Sequence, residues 1–252
     1  IPVDQKECIR YLKMSVDLGN AKGMTCLGRA YMNGKGTSVD MKEAAKYFKM
    51  ASDLGEIDAM YDYFTMLDLG NGIEADKEQA IMYLKTAANK GHPIAMYYYG
   101  RKLLDGVDIQ CNKKKGFEFI KSAADSGHLT AMSFYGIMLL YGDEIEVDVE
   151  QGIKYIKNAA ERGEITAILN YASLLFKGTF VPMNKEESAK YIKIGADRGE
   201  LHSMHLYAKM LLSSDGVPMN RKEAVKYLKK AADNGFVPSM NLYGRMLLNG
   251  GV

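Results

Sequence analysis

The sequence predicts an all-α solenoid of seven helix hairpins, and three observations carry that reading. First, the 252 residues are self-similar at a period of 36, and the register never slips. The glycine at Gly91 returns as Gly19, Gly55, Gly127, Gly163, Gly199 and Gly235, and Lys85 returns as Lys13, Lys49, Lys121, Lys157, Lys193 and Lys229. Second, each period holds two apolar stripes of helical spacing, and nothing alternates as a strand would. Third, a helix-capping residue opens the first stripe and glycine closes nearly every stripe. The repeats are 1–36, 37–72, 73–108, 109–144, 145–180, 181–216 and 217–252, expected to form a single array. Each unit buries its apolar face only against its neighbours, so such an array is one quasi-linear body whatever its length.

The first helix of each repeat opens on Asp4, Asp40, Asp76, Asn112, Asp148, Asn184 or Asn220. Three residues on stands Glu7, Glu43, Gln79, Gln151, Glu187 or Glu223, the spacing of a capping box; Lys115 breaks it once. Within this helix Ala44, Tyr47, Phe48 and Ala51 form one apolar face. The small residues let a neighbouring helix approach. The aromatic series Tyr11, Tyr47, Tyr83, Phe119, Tyr155, Tyr191 and Tyr227 is expected to fill the space between helices. Gly55 and its counterparts then end the helix, where a left-handed residue is needed.

The second helix begins one to three residues later, with Pro93 and Pro238 placed where a first-turn proline loses no hydrogen bond. Its stripe is Met96, Tyr99, Gly100 and Leu103. Gly34, Gly70, Gly106, Gly142, Gly178 and Gly250 close this helix, and Ser214 replaces the glycine once. Phe64 stands where other repeats carry Gly or Ala and is expected to push the adjacent helix outward. Connections this short force antiparallel hairpins.

Composition narrows the function. The net charge is +2 with acids and bases interleaved, which gives no footprint for nucleic acid or a membrane surface. No apolar run approaches the roughly 18 residues of a spanning helix. Cys8, Cys26 and Cys111 are odd in number and lack CxxC spacing, so free thiols in a reducing compartment are expected. A cytoplasmic site is favoured, with the endoplasmic reticulum as the alternative. The opening Ile1-Pro2-Val3-Asp4 matches the segments at Val181 and Val217, so the chain is expected to begin inside a repeat of a longer protein.

The joined pattern A-M-x-x-Y-G-x-x-L-x-x-G, then D/N-x-x-E-A-x-x-Y-x-K-x-A-A-x-x-G, resembles the Sel-one-like repeat family, a close relative of tetratricopeptide repeats, over residues 1–252. The resemblance implies a right-handed superhelix whose concave side is lined by the A-M-x-x-Y-G helices. It also implies an adaptor or scaffold, as in endoplasmic-reticulum degradation complexes and bacterial signalling proteins. The cysteine-rich bacterial branch pins each repeat with a Cys-x7-Cys bridge. Ala124 and Met132 stand at the matching positions here, which sets that branch aside.

If Met96, Tyr99, Gly100 and Leu103 face the core, then Ile94, Tyr97, Tyr98, Arg101 and Asp105 point the other way, onto what the resemblance makes the concave groove. Positions there vary between repeats while the stripe does not. Tyr61, Tyr97, Tyr98 and Phe134 with Arg101 form the candidate hot spot, and Arg29, Lys209 and Arg245 continue a basic row. The expected partner is a protein or peptide with apolar side chains and acidic groups or a C-terminal carboxylate. No nucleic acid, membrane insertion or cofactor is expected, while self-association through the array ends is. The lysines of the Lys85 series, most with an acid four residues on, read as a solvated ladder on the convex side.

Chemistry is sparse. His202 and His205 share a helix face, but no cysteine or carboxylate completes a metal set and H-E-x-x-H is absent. The G-x-G elements at Gly34/Gly36 and Gly70/Gly72 close helices and do not follow strands, which excludes a dinucleotide loop. The function read from sequence is therefore a non-enzymatic scaffold binding its partner in the groove. The alternatives are an endoplasmic-reticulum degradation adaptor, or the interaction region of an enzyme whose catalytic domain lies elsewhere.

Overall fold

A computed structural model describes residues 4–142 and 145–248; Gly250, expected to close the last helix, lies outside them. Among the described residues there are fourteen helices and no strand. The first of each hairpin are α1 (Gln5–Asp17), α3 (Met41–Asp53), α5 (Lys77–Asn89), α7 (Lys113–Asp125), α9 (Val149–Glu161), α11 (Lys185–Asp197) and α13 (Arg221–Asp233). The second are α2 (Ala21–Asn33), α4 (Ile57–Leu69), α6 (Pro93–Asp105), α8 (Leu129–Tyr141), α10 (Ile165–Lys177), α12 (Leu201–Ser213) and α14 (Val237–Leu248). The chain divides into two compact halves, Ile1–His128 and Leu129–Val252. Within each half every helix packs on its neighbours along the chain, the arrangement of an all-α solenoid.

Caps set the ends of these helices. All seven predicted N-cap side chains accept the backbone N–H three residues on, at 2.9–3.1 Å. The Asn112 cap forms although Lys115 breaks the box. The other half of the capping box is corrected by the structure. The N-cap's own N–H donates to a carbonyl nine residues back, in the last turn of the preceding helix: Asp76 to Leu67 at 3.1 Å, Asn112 to Leu103 at 2.9 Å, Asn184 to Leu175 at 2.8 Å. With its backbone donor taken, the N-cap has none left for the third position, and Glu187 and Glu223 accept instead from the Asn184 and Asn220 side-chain amides at 3.0 Å. The first helices all end in one geometry, illustrated by α3: Gly55 at φ +89 donates to Ser52, and Glu56 donates to Ala51 at 3.0 Å. Ser214 adopts φ +59, the left-handed turn that Gly34, Gly70, Gly106, Gly142 and Gly178 make in the earlier repeats.

The core runs along the predicted stripes, with one shift. Phe48, Leu84, Ile120, Ile156 and Leu228 are at 0% exposure, whereas the aromatic one position earlier is half-buried at Tyr47, Tyr83 and Tyr155. That aromatic lies at the rim against the preceding hairpin: Tyr47 stacks on Tyr31 at 5.8 Å and 5°, and the later ones meet their partners edge-on. Tyr63–Tyr83 (4.9 Å, 88°), Tyr99–Phe119 (5.1 Å, 81°), Tyr171–Tyr191 (5.0 Å, 88°) and Tyr207–Tyr227 (5.3 Å, 89°) repeat one geometry. Between α6 and α7 two glycines face each other. A Cβ on Gly100 would stand 2.9 Å from the Gly116 carbonyl, and one on Gly116 would stand 2.9 Å from the Gly100 carbonyl. Phe64, at the position of Gly100 in α4, is itself buried, so its ring occupies space that backbones fill in α6 and α7.

A size swap marks where a hairpin's two helices touch. Ala51 and Ala59 meet in one core cluster. At the same pair of positions the sixth repeat has Gly195 and Ser203, and the first has Ser15 and Gly23. A Cβ on Gly195 would lie 2.4 Å from Ser203 Oγ, and one on Gly23 would lie 2.5 Å from Ser15 Oγ. The larger side chain on one helix is matched by glycine on the other.

Two stability outcomes follow from this packing. Leu84→Ala should cost about 3 kcal/mol in urea melts, the usual range for a fully buried leucine. Tyr83→Ala and Tyr11→Ala should each cost clearly less, since Tyr83 is half-buried and Tyr11 is 56% exposed. Gly195→Ala should lose on the order of 1 kcal/mol, because overpacking outweighs the gain in helix propensity. Adding Ser203→Ala should recover that loss. If the two changes prove additive in a double-mutant cycle, the size-swap reading fails.

Candidate functional site

The residues singled out on the second helices fall in both halves. Arg29 on α2, Tyr61 on α4, and Tyr97, Tyr98 and Arg101 on α6 belong to the first half, where the structure brings them into one continuous set of contacts. Phe134 on α8, half-buried, and the exposed Lys209 on α12 and Arg245 on α14 belong to the second half.

The first-half cluster is built on stacked rings. Tyr61 lies over the His92 imidazole at 5.1 Å and 18°, and over Tyr98 at 6.2 Å and 24°. Tyr97 meets Tyr98 edge-on at 5.3 Å, and His128 covers Tyr97 at 5.3 Å. His92 and His128 stand at equivalent positions, just before the second helix of their repeats. Each lies 31 residues beyond the tyrosine it covers. The same spacing joins His205 to Phe236 at 5.7 Å. A ring on one second helix is thus roofed from the turn that precedes the next.

That roof corrects one expectation. Tyr97 is 8% exposed, inside the packing and not off it, while Tyr98 is 46% exposed and faces solvent. Helical phase alone placed both outside the stripe. The covering ring of His128 comes from beyond the helix, where phase has no view. Tyr97 Oη lies 3.3 Å from Arg101 Nη1, so the phenol is a support for the arginine as well as for Tyr98.

The basic row is also altered. Arg29 Nε donates to Asp62 Oδ2 at 2.7 Å, and its Nη2 lies 3.6 Å from Asp58. Arg101 Nη2 is 3.5 Å from Asp105. Burial works against the Arg29 charge, but the Asp62 hydrogen bond and the charges of Asp62 and Asp58 raise it above its ordinary value. For Asp62 the balance is opposite: burial lifts its carboxyl above the usual range despite the pull of Arg29. Since the guanidinium is 42% exposed, screening holds the pair to about 1 kcal/mol or less. Burial likewise pushes Tyr61 up to about 12, helped by Tyr98 and Asp62, so the phenol stays neutral.

His92, Asp58 and Asp62 were not singled out in the sequence, and the 31-residue spacing of His92 from Tyr61 is the signal that could have found them. His92 caps α6: its Nδ1 accepts the Ala95 N–H at 3.1 Å, and Nε2 lies 3.5 Å from Asp58 Oδ1. Only the neutral ring protonated on Nε2 serves both contacts. Of the lysine ladder, Lys49–Asp53 and Lys193–Asp197 pair at 2.6 Å and Lys157–Glu161 lies at 4.0 Å. Among the described residues no three His, Cys, Asp or Glu side chains gather to hold a metal, and no helix is long and apolar enough to cross a membrane. Cys8, Cys26 and Cys111 stand unpaired and exposed.

The family model of the Sel1 repeat matches residues 1–20, 21–56, 57–92, 93–128, 129–164, 165–200 and 201–236. Its frame starts at the second helix of one hairpin and ends with the first helix of the next. Among solved structures, a protective antigen of uropathogenic Escherichia coli displaying an SLR fold superposes with a TM-score of 0.83 at 24% identity. That superposition covers 96% of this chain and 52% of the antigen, so the chain spans about half of that protein's length. A Sel1 repeat protein from Oxalobacter formigenes gives 0.80 at 22% identity, covering 86% of this chain and 89% of its own. An immunity protein from Pseudomonas aeruginosa gives 0.55 at 17%, covering 84% and 81%. At these identities the likeness is one of fold. No curated protein matches the sequence.

The His92 contacts give a pH dependence. Burial lowers the His92 pKa below 6.5; Asp58 and Asp62 act to raise it and Arg29 to lower it. A group that is harder to protonate when folded loses stability as pH falls below its unfolded value, because the unfolded chain takes up the proton first. Stability should therefore decline as pH drops through about 6.5. Lowered also, by burial and then by Lys209 and His202, His205 contributes in the same direction. His92→Asn keeps a capping oxygen for Ala95 and removes the titration. Its melts between pH 7 and 5.5 should show a shallower slope than wild type; an unchanged slope would exclude His92 as a contributor.

Proposed function

The chain belongs to the Sel1 repeat family, and from that premise we propose that it is a non-enzymatic interaction module presenting the α4–α6 face of its first half to a peptide or folded protein. The observation that carries this reading is a large, rigid aromatic surface left facing solvent. Tyr98 is 46% exposed while its ring is held by Tyr61 on one side and Tyr97 on another, and Ile94 on the same helix is also exposed. A ring already fixed by its neighbours loses little entropy on binding, and tyrosines of this kind anchor interfaces. Apart from the lysine ladder, the positions that recur with the period are spent on caps, turns or core, so recognition in this reading falls to positions that vary.

Within this reading Tyr98 and half-buried Tyr61 touch the partner, Tyr97 supports them from below, and Arg101 meets an acidic group. Arg29, held by Asp62 and Asp58, orders the α2–α4 edge of the face. Lys209 and Arg245 supply basic character in the second half. A partner bearing apolar side chains beside a carboxylate fits this chemistry. Three exposed, unpaired thiols favour a reducing compartment and hence the cytoplasm.

The test is affinity capture with the intact chain, followed by titration of the retained partner against variants. Replacing Tyr98 and Arg101 together by Ala should weaken binding at least ~10-fold, about 1.4 kcal/mol, with the melting transition preserved. Tyr97 is left intact because its burial would mix binding with stability. Lys157→Ala with Lys193→Ala is the matched control and should leave binding nearly unchanged. If the lysine pair abolishes binding and the aromatic pair does not, the recognition surface is the lysine ladder.

A further inference from the structure

The second half holds an open cavity of about 290 Å³ between α10 and α12, floored by α11. Leu169, Phe176, Ile192, Leu206 and Met210 give it apolar walls. Ser173 contributes to it: it stands at the position of Arg101 and Ile137, whose longer side chains would fill the space. Among the repeats only this one joins a small residue at that position to Leu169, Phe176 and Leu206 around it.

Most of the polar groups at the cavity have partners within the protein. Ser188 Oγ donates to the Ala172 carbonyl at 2.7 Å, and Ser213 Oγ donates to the Lys209 carbonyl at 2.9 Å. Asp215 is paired with Lys185 at 2.7 Å, and Lys185 in turn lies 4.9 Å over the Phe176 ring. Lys209 lines the same cavity, is exposed, and forms no ion pair among the described residues. The mouth of an apolar pocket therefore carries one uncompensated positive charge.

We propose that this cavity takes the C-terminal residue of a partner polypeptide, an apolar side chain entering between Leu169 and Leu206 and its α-carboxylate pairing with Lys209. Pocket and charge share one wall, so the ligand must bring its apolar group and its anion on one residue. In an extended chain the adjacent side chain points the other way and the next one on the same face is two residues, roughly 7 Å, along, whereas a terminal residue carries both groups on one Cα. The proposal deepens the interaction-module reading and rests on it for the class of partner. It places a second anchor on residues separate from the Tyr98 face.

The probe is an acetylated pentapeptide, Gly-Ser-Gly-Ser-Phe, with a free C-terminal carboxylate. It is compared with its C-terminal amide and with octanoate by titration into isotope-labelled protein. Resonances of Ser173, Leu206 and Lys209 should shift, and the acid should bind at least ~5-fold more tightly than the amide. Lys209→Gln should bring the acid down to the amide's affinity, and Ser173→Leu, filling the cavity, should remove binding of both. Equal binding of acid and amide, or acid binding unchanged by Lys209→Gln, overturns the carboxylate assignment even if Ser173→Leu fails to fold. Octanoate binding more tightly than the peptide acid overturns the polypeptide assignment. The protein with Tyr98→Ala and Arg101→Ala should bind the probe as wild type does. Loss of the captured partner in that protein with probe binding intact separates the two readings; loss of the probe there overturns the pocket assignment.

Discussion

One hydrogen-bond joint sets the register of the array. From α3 onward, the residue that caps a first helix accepts from inside its own helix and gives its backbone N–H to the last turn of the helix before it. Both partners are groups that a helix end would otherwise leave unsatisfied. The joint therefore satisfies one orphan donor and one orphan acceptor at once, and it fixes the point where one hairpin begins on the last. Because the same two groups meet every 36 residues, the spacing of hairpins cannot drift, and the core positions of one repeat stay opposite those of the next.

With register fixed, packing is settled by size at a few contacts. The first helix contributes a fully buried Phe48, Leu84, Ile120, Ile156 or Leu228, and the tyrosine beside it is pushed to the rim. Facing glycines let α6 and α7 meet backbone to backbone, and Phe64 fills the equivalent space in α4. Neighbouring contacts trade volume, as Gly195 and Ser203 do in one direction and Ser15 and Gly23 in the other. The same logic opens the cavity at Ser173, where a small residue has no larger counterpart to fill the space.

The variable face of the second helices is where the proposed recognition surface lies. In the first half that face is not a loose row of side chains. Tyr61, Tyr98, Tyr97 and His92 hold one another, and Asp58 and Asp62 hold Arg29. A surface made this way is pre-ordered, and its charges are largely balanced from within. In the proposed reading, recognition there would rest on shape and aromatic area, with Arg101 as the cation beside the exposed ring. In the second half Lys209, a cation with no ion pair among the described residues, stands beside an apolar hollow.

The sequence by itself determined the hairpins, their boundaries and their core stripes. Each depends on residues within one helix and its flanking turns: Asp76 and Gly91 mark the ends of α5 wherever it packs, and the 36-residue period places the copies. It did not determine that Tyr97 is buried and Tyr98 exposed, that Arg29 is taken by Asp62, or that Glu43 and its counterparts lose their capping role. Nor did it show the hollow beside Ser173. Burial and pairing on that face are set by groups about 31 to 33 residues away, His128 over Tyr97 and Asp62 beside Arg29, and the capping change by a carbonyl nine residues before the cap; all reach across from a neighbouring hairpin. Helical phase describes a single cylinder, whereas burial and charge on its outer face depend on what the neighbouring cylinder brings, and only the tertiary structure supplies that.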